Sequence, residues 1–368
     1  MSGVGYSIYE NAVLVPPKQL DGRQYDGKAG VFDAHGNFIA AAITRSSGRN
    51  RHAAPEFPTG AEFPCLAGTH AFGGVFFGHF GHFITESTGR LWVLNQPKLD
   101  FESFVYLPKD RLLPRWQFAE KERLLAALGI NARLATVAQP TRVERLIVPD
   151  AEFGLDDSLI DGSPRYVDFM RKAAASRVAA KGGEKLYISR RSLLVDRGTI
   201  LGEALVEDWL AHEGYTIFEP QKFSPEDQIA QYRAARKIIS VDASPLHLYA
   251  YAADAGQQVA IIRRRSMNAY RNIIRHIRAF SGASVAVIDA LKADYVPAHT
   301  NRAGRSSWGL VDFPAIGNEL ARLGMIRPPG DWPAAAWQAL HPQQIEAQMT
   351  GIARQAGADY RHLPAQAA

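Results

Sequence analysis

Residues 185–191 read KLYISRR, and the pattern of this stretch decides the fold class. A short apolar run closed by polar residues predicts a buried strand, here Lys185–Ser189. Runs of the same kind recur along the second half of the chain, at residues 215–218, 237–241, 258–262 and 284–288. Helical patterns separate them, so we predict a parallel sheet covered by helices, which is an α/β fold.

The helices between these strands carry clear start and stop signals. Ser224 followed by Pro225 and two acidic residues is typical of a helix start. Gly214 ends a predicted helix over Ile200–His212. Ser244 and Pro245 are a second cap and first helical residue, and they predict a helix over 246–253.

The first half of the chain shows a weaker alternation of the same kind. We predict strands at 75–77, 104–107 and 145–148, and helices at 79–95, 120–128 (closed by Gly129) and 166–180. The polar, acidic stretch Pro149–Pro164 resembles a linker. The predicted domains are therefore 1–165 and 166–298. A C-terminal extension, 299–368, is expected to pack back on them with helices near 315–323 and 343–353.

Composition narrows the class of protein. The chain has 368 residues with 46% hydrophobic content, as expected of a two-domain globular protein. A net charge of +5 is too small for a dedicated nucleic-acid binder, so we expect no nucleic-acid partner. The single cysteine, Cys65, excludes an intrachain disulfide and favours the cytoplasm. We expect no signal peptide in the first 15 residues and no membrane-spanning run.

A first candidate site follows the strand 185–189. Ser189, Arg190, Arg191 and Arg197 place hydroxyl and guanidinium donors directly after a parallel strand, where phosphate-bearing ligands bind. The alternative is a solvated basic loop with ion pairs to Asp196 or Glu203.

A second candidate site follows the strand 237–241. Asp242, Ser244 and His247 lie at the start of the next helix, whose free N–H groups favour anions. The alternative is that Ser244 only caps the helix and His247 packs against the sheet.

A third candidate site pairs a carboxylate with imidazoles. His82 and Glu86 are four residues apart and would share a helix face, so either is a candidate general base. With His70 and His79 they suggest a metal site as an alternative, although the zinc-protease spacing is absent. Buried structural histidines are the remaining interpretation.

Other patterns carry less information. Arg263, Arg264 and Arg265, together with three arginines at helical spacing further on, predict a solvated basic face or a contact with an anionic acceptor or membrane surface. The sequence has no P-loop, no convincing dinucleotide fingerprint and no Gly-x-Ser-x-Gly elbow. These absences argue against P-loop, dinucleotide and ordinary α/β-hydrolase enzymes.

Taken in order, these motifs resemble glycosyltransferase family 61. The segments that carry the resemblance are His82-Phe83-Ile84-Thr85-Glu86 with Arg90-Leu91-Trp92, then Tyr187-Ile188-Ser189-Arg190-Arg191, and then Asp242-x-Ser244-x-Leu246-His247. The last one is similar to the Glu-Asp-Gly-Ser-x-Leu-His-Asn loop of bacterial members, except that Ala243 and Leu248 replace Gly and Asn. The resemblance covers about residues 70–290.

The resemblance implies two Rossmann-like domains that face each other across a cleft, the GT-B arrangement. It implies an inverting, metal-independent glycosyltransferase without a cofactor, with Glu86 as base and His82 as its competitor. The residues that would bind the donor diphosphate are Ser189, Arg190, Arg191, Arg197, Asp242, Ser244 and His247.

The expected partners follow from the same resemblance. The donor is a nucleotide sugar, with a UDP-sugar favoured, and the acceptor is a saccharide or lipid-linked saccharide. The product would serve bacterial surface polysaccharide or glycolipid synthesis, in the cytoplasm or at the inner membrane face. Two alternatives stay open: a non-catalytic nucleotide-sugar or saccharide binding protein, which the altered 242–248 loop suggests, and a metal-dependent hydrolase.

Overall fold

The chain divides into two compact units. The computed structural model describes residues 5–20, 24–59, 62–110, 112–174 and 178–366. Unit 1 is Met1–Val178 and unit 2 is Ala179–Ala368. The division therefore falls at residue 178, and residues 299–366 lie within unit 2.

Unit 1 is built on a six-stranded mixed sheet. The strands of the unit, including a small two-stranded ribbon (β3 and β4), are β1 (Tyr6–Val15), β2 (Gly30–Phe32), β3 (Arg45–Ser46), β4 (Arg49–Asn50), β5 (Cys65–Phe76), β6 (Phe104–Pro108), β7 (Leu134–Thr136) and β8 (Thr141–Pro149). The sheet order is β2-β1-β8-β5-β6-β7. Strands β8, β5, β6 and β7 run parallel, whereas β1 is antiparallel to both β2 and β8.

The mixed sheet departs from the all-parallel Rossmann-like domain expected for the first half. Strand β1 covers the edge of β8 that would otherwise leave its backbone groups unpaired. The same strand buries Ala12 and Leu14 in the core of the unit. Edge pairing and burial together stabilise β1 in this position.

The helices of unit 1 are short, apart from two. They are α1 (Phe80–His82), a π-helical turn (Phe83–Ser87), 3-10 turns (Ala40–Ala42 and Leu91–Asn95), α2 (Arg115–Ala127) and α3 (Pro164–Ala174). The prediction of one continuous helix over 79–95 is wrong. The chain breaks near Gly89, where an added Cβ would lie 2.1 Å from the backbone oxygen of Phe153.

The stretch Pro149–Pro164 is part of the core of unit 1 and not a linker. Phe153 is buried and stacks on Tyr166 of α3, with ring centroids 5.0 Å apart. Ile160 is also buried. The helix predicted over 166–180 is α3, which begins at Pro164. Residues 175–177 of that prediction lie outside the described residues, and 178–180 are not helical.

Gly129 ends α2, as its sequence predicts. Its φ is +82°, and an added Cβ would lie 2.3 Å from the backbone oxygen of Ala173. We expect Gly129→Ala to lower the free energy of unfolding by about 1–3 kcal/mol, because alanine is strained in this conformation. Urea unfolding measures the change.

Gly351→Ala is the matched control for that variant. Gly351 lies inside a helix, and an added Cβ there meets no atom within 4 Å. Alanine should therefore stabilise this position or leave it unchanged. Equal effects of the two substitutions would contradict the argument about Gly129.

Unit 2 contains the predicted parallel sheet. Its strands are β9 (Lys185–Ile188), β10 (Thr216–Phe218), β11 (Lys237–Val241), β12 (Gln258–Ile262) and β13 (Ser284–Ile288). All pairs are parallel and the order is β10-β9-β11-β12-β13, so all five strand predictions are confirmed. The order of the strands reverses between β9 and β11, which creates a topological switch point there.

Four helices connect these strands. They are α4 (Glu203–His212), α5 (Pro225–Ala234), α6 (Pro245–Ala252) and α7 (Ala269–Ser281). The predicted cap of α5 is confirmed, because the backbone N–H of Asp227 donates to Ser224 Oγ at 3.1 Å. Short 3-10 turns complete the loops of unit 2, at Val195–Arg197, Pro220–Lys222 and Pro329–Asp331.

The C-terminal residues add a small antiparallel sheet and two helices to unit 2. These elements are β14 (Leu291–Pro297), β15 (Trp308–Val311), α8 (Phe313–Arg322), α9 (Pro342–Ala356) and β16 (Tyr360–Pro364). Phe313 and Ile316 of α8 are fully buried in the core that covers the parallel sheet. The two helices predicted in this region are confirmed. Within the described ranges, no helix is both long enough and apolar enough to cross a bilayer.

Candidate active site

The switch point of unit 2 brings two of the predicted sites together. Ser240 of β11 is paired with Ile188 of β9, so the two strands end side by side. Ser189 and Arg190 therefore follow the end of β9, and Asp242 follows the end of the adjacent strand β11. Ligands of open α/β sheets bind at this edge, beyond the carboxyl ends of the strands.

Two carboxylates of α4 hold the loop after β9. Glu203 Oε1 accepts hydrogen bonds from the Tyr187 hydroxyl at 2.9 Å and from the backbone N–H of Arg190 at 3.0 Å. Glu207 accepts from Ser189 Oγ at 2.5 Å and from Arg191 Nε at 2.6 Å. The two acids are one helical turn apart and point towards the strand. Sequence analysis missed Glu207.

Arg190 is buried and braces its own loop. Its Nη2 donates to the backbone oxygen of Arg197 at 2.5 Å and its Nε to that of Gly198 at 3.3 Å. Burial lowers the pKa of Arg190, although the charges of Asp242 and Glu203 oppose the shift. Nη1 has no acceptor among the described residues, so this part of the guanidinium is available to an anion.

The other predicted donor-binding residues have different surroundings. The Arg191 side chain is about half exposed and is neutralised by Glu207. Arg197 Nε lies 3.7 Å from Asp196, and its side chain is 30% exposed. Ser244 precedes α6, but its side chain makes no capping hydrogen bond. Ser244 is partly exposed as a residue.

His247 is hydrogen-bonded to another histidine. Its ring is buried, and its Nδ1 is hydrogen-bonded to His276 Nδ1 of α7 at 2.9 Å. Burial lowers the pKa of His276 well below its usual value, and the neighbouring His247 adds to this effect. The contact resembles the packing alternative considered for His247 more than a diphosphate contact.

Two further arginines lie at the same edge and were missed as site residues. Arg264 Nε is 3.0 Å from Asp242 Oδ1, and Arg265 Nε is 3.4 Å from the same oxygen. Arg264 is 2% exposed, so it does not belong to a solvated basic face. The signal was available, because these residues follow β12 just as Arg190 follows β9.

The third predicted site is assembled in unit 1. His82 Nδ1 donates a short hydrogen bond to Glu86 Oε2. Arg51 Nε donates to the other carboxylate oxygen, Oε1, at 2.8 Å, and its Nη2 donates to Ser46 Oγ at 2.5 Å. The Glu86 side chain is fully buried, whereas the His82 side chain is 45% exposed.

The electrostatic surroundings of Glu86 differ from those of His82. Burial by itself raises the pKa of Glu86, but the hydrogen bond from His82 and the charge of Arg51 outweigh it and lower that pKa. Glu86 is thus held as a carboxylate with both oxygens occupied. The hydrogen bond to a carboxylate places a proton on His82 Nδ1, so Nε2 is the acceptor nitrogen of a neutral ring in this arrangement.

Arg51 is a functional candidate that sequence reasoning missed. It lies in the loop after β4, 35 residues before Glu86. The surrounding sequence is rich in Ser, Gly, Arg and Pro and contains no motif. No local pattern connects the two residues, since only the fold of unit 1 brings them together.

The histidines around Glu86 do not form a metal-binding group. His70 is buried, and its ring nitrogens lie 2.9 Å from Ser103 Oγ and 2.8 Å from the backbone oxygen of Ala67. It is a structural histidine. In the part of the chain that the structure describes, no three His, Cys, Asp or Glu side chains are placed to hold a metal ion.

A comparison with known families assigns the chemistry. Residues 80–259 match the Glycosyltransferase 61 family model. The match includes His82, Glu86, the loop after β9 and the start of α6, and it ends before Arg264. No curated protein matches the chain. The resemblance inferred from the motifs is confirmed at the level of the family domain, and the protein is a glycosyltransferase.

Proposed function

We propose that the protein is an inverting GT-B glycosyltransferase that moves a sugar from a nucleotide-sugar donor to a saccharide or lipid-linked saccharide acceptor. A UDP-sugar is the favoured donor. Unit 2 binds the donor and unit 1 provides the base for the acceptor. In this proposal the product serves a bacterial surface polysaccharide or glycolipid, made in the cytoplasm or at the inner face of the membrane.

One observation carries the donor site: guanidinium groups gather at the carboxyl edge of the unit 2 sheet, at its switch point. Arg190 and Arg264 are both at least nine-tenths buried there. Buried guanidinium groups need anionic partners, and a diphosphate supplies two phosphate groups. The free hydroxyl of Ser244, two residues beyond Asp242, adds a neutral donor for a phosphate oxygen.

The geometry of unit 1 favours His82 over Glu86 as the base. Both oxygens of Glu86 accept hydrogen bonds, and its side chain is fully buried. His82 has an exposed ring edge and a carboxylate that orients it, which is the arrangement that general bases use. Glu86 then acts as a positioning residue, because it stabilises the imidazolium that forms on proton transfer.

The proposed reaction is a single displacement. The acceptor hydroxyl gives its proton to His82 Nε2, and its oxygen forms a bond to the anomeric carbon. The bond between that carbon and the diphosphate oxygen breaks on the opposite face, and its electron pair leaves with the nucleoside diphosphate. The arginines of unit 2 stabilise the charge that develops on the leaving group.

A thermal-shift screen tests the donor site first. A ligand that binds only the native state raises the melting temperature. We expect UDP to raise it more than uridine does, because the diphosphate carries the interaction. GDP and CMP with their sugars complete the screen, and the absence of any nucleotide effect would contradict the proposal.

Slow hydrolysis of the nucleotide sugar then tests catalysis. A transferase should release nucleoside diphosphate from its donor even without acceptor, whereas a non-catalytic binding protein would release none. Retention of the anomeric configuration in the transfer product would contradict the inverting mechanism.

A further inference from the structure

The arginines after β12 lie outside the residues that match the family model. The match ends at residue 259, and Arg264 and Arg265 follow it. They nevertheless converge with Arg190 on one carboxylate, Asp242, since electrostatic interactions join all four groups. The match therefore assigns no role to these two arginines.

Three largely buried guanidinium groups share one carboxylate, Asp242, at this edge. Arg190 and Arg264 are 8% and 2% exposed, and the Arg265 side chain is 11% exposed. Two carboxylates, Asp242 and Glu203, face these three guanidinium groups. Burial raises the pKa of Glu203, which disfavours its charge. Asp242 is thus shared by Arg190, Arg264 and Arg265, and an anion would give these guanidinium groups a further partner.

Buried polar atoms without hydrogen-bond partners gather at the same place. Among the described residues, nothing forms a hydrogen bond with Arg265 Nε, Asp242 Oδ1, Glu203 Oε2 or Arg197 Nη1. Asp242 Oδ1 lies within ion-pair distance of two arginines but bonds to neither with good geometry. Orphaned buried groups are costly and rare, so their clustering indicates a site that a ligand completes.

Arg265 has the most unused hydrogen-bonding capacity of these arginines. Arg264 is committed to the protein, because its Nη1 donates to the backbone oxygen of Gly198 at 3.1 Å. Arg263 is neutralised by Asp289 at 2.9 Å. Arg265 has only its ion-pair contact with Asp242, and no described residue accepts a hydrogen bond from either of its Nη atoms.

The start of β15 and the residue before it contact this arrangement from the C-terminal part of unit 2. The backbone N–H of Gly309 donates to the backbone oxygen of Thr199 at 2.8 Å. An added Cβ at Gly309 would lie 2.1 Å from the backbone oxygen of Arg264, and one at Gly198 would lie 2.1 Å from that of Ser307. Glycine at both positions lets the backbone of Arg264 contact that of Gly309, and the backbone of Gly198 contact that of Ser307.

We propose that Arg265 binds the donor diphosphate directly, and that Arg264 and Gly309 are positioning residues that hold it at the switch point. The donor site thus extends beyond the residues that match the family. This inference rests on the proposed function, since it assumes that a nucleoside diphosphate binds to unit 2.

Isothermal titration calorimetry with UDP and with inorganic pyrophosphate tests the inference. Arg265→Gln should weaken the binding of both by about 10- to 100-fold, as expected for the loss of a charged hydrogen bond. Arg265→Lys should recover part of the loss, because lysine restores the positive charge but cannot form the bidentate hydrogen bonds of a guanidinium group. The unliganded melting temperature should change little, since Arg264 keeps Asp242 paired.

Arg236→Gln is the matched control. Arg236 directly precedes β11, at the amino end of the sheet, and pairs with Asp254 at the surface. Like Arg265→Gln, this substitution removes one positive charge from unit 2, but it does so at the amino end of the sheet. UDP should bind this variant as tightly as the unchanged protein.

The outcomes separate the inference from the proposed function. UDP binding within twofold of the unchanged protein in Arg265→Gln, together with a clear loss in Arg190→Gln, would overturn the role of Arg265 and leave the donor site intact. Failure of the unchanged protein to bind UDP, GDP, CMP or pyrophosphate would overturn both. Gly309→Ala should weaken UDP binding as well, and normal binding by a folded Gly309→Ala protein would contradict the positioning role of Gly309.

Discussion

Replacing His82 by alanine should lower the kcat for sugar transfer by about 10²- to 10⁴-fold, the usual contribution of a general base. The donor should still bind normally, because its proposed contacts lie in unit 2. The variant keeps the ion pair between Arg51 and Glu86. Initial rates with saturating donor measure the effect. A kcat within threefold of the unchanged protein would contradict the assignment of His82.

The pH dependence of the rate distinguishes His82 from Glu86. The hydrogen bond from His82 and the charge of Arg51 lower the pKa of Glu86 below its ordinary value of 4.5, so a Glu86 base would lose activity only as the pH approaches or falls below that value. A loss of activity at a higher pH would come from a base other than Glu86. We therefore expect kcat/KM to fall on acidification well before pH 4.5.

Glu86→Gln tests the positioning role. A glutamine amide can donate to His82 Nδ1 and so favour the tautomer with the proton on Nε2, which cannot act as a base. We expect a loss of kcat similar to that of His82→Ala. His212→Ala is the control, because this exposed histidine caps a carbonyl of α4 in the other unit.

Replacing Arg190 by glutamine should lower kcat/KM by about 10²- to 10³-fold, or about 2–4 kcal/mol of transition-state stabilisation. Its guanidinium ties the loop to the backbone oxygens of Arg197 and Gly198 and presents Nη1 to an anion. In the proposed mechanism, both functions serve the leaving diphosphate. Steady-state kinetics with varied donor, compared with Arg236→Gln, measure the loss.

The melting temperature separates the two functions of Arg190. A large drop without ligand would indicate that the loop has come apart, and then Arg190→Lys, which keeps the charge, becomes the informative variant. A folded Arg190→Gln protein with nearly normal turnover would contradict a role in stabilising the leaving group.

The parallel sheet of unit 2 was predictable because buried strands have a local signature. Apolar runs such as 237–241 and 258–262 stand between clear helix caps, and each coincides with a strand of the structure. The helix predicted over 79–95 failed for a tertiary reason. Gly89 packs against the backbone near Phe153, and this contact is invisible in a local pattern.

The candidate sites were predictable to the extent that they follow strand ends. The rule that polar residues after parallel strands meet at one edge located Arg190 and Asp242, and the same rule applied to β12 would have located Arg264. The hydrogen-bond partners of the site residues could not be predicted from the sequence. Arg51 reaches Glu86 only through the fold, and the pairing of His247 with His276 depends on how α6 packs on α7.

A crystal structure of the protein with UDP tests the central claim most directly, namely that guanidinium groups at the switch point of unit 2 bind the donor diphosphate. We expect the phosphate oxygens within hydrogen-bond distance of Arg190 and Arg265, with Ser244 nearby. A diphosphate bound at the amino end of the sheet, or elsewhere and without any arginine of this cluster, would contradict the claim.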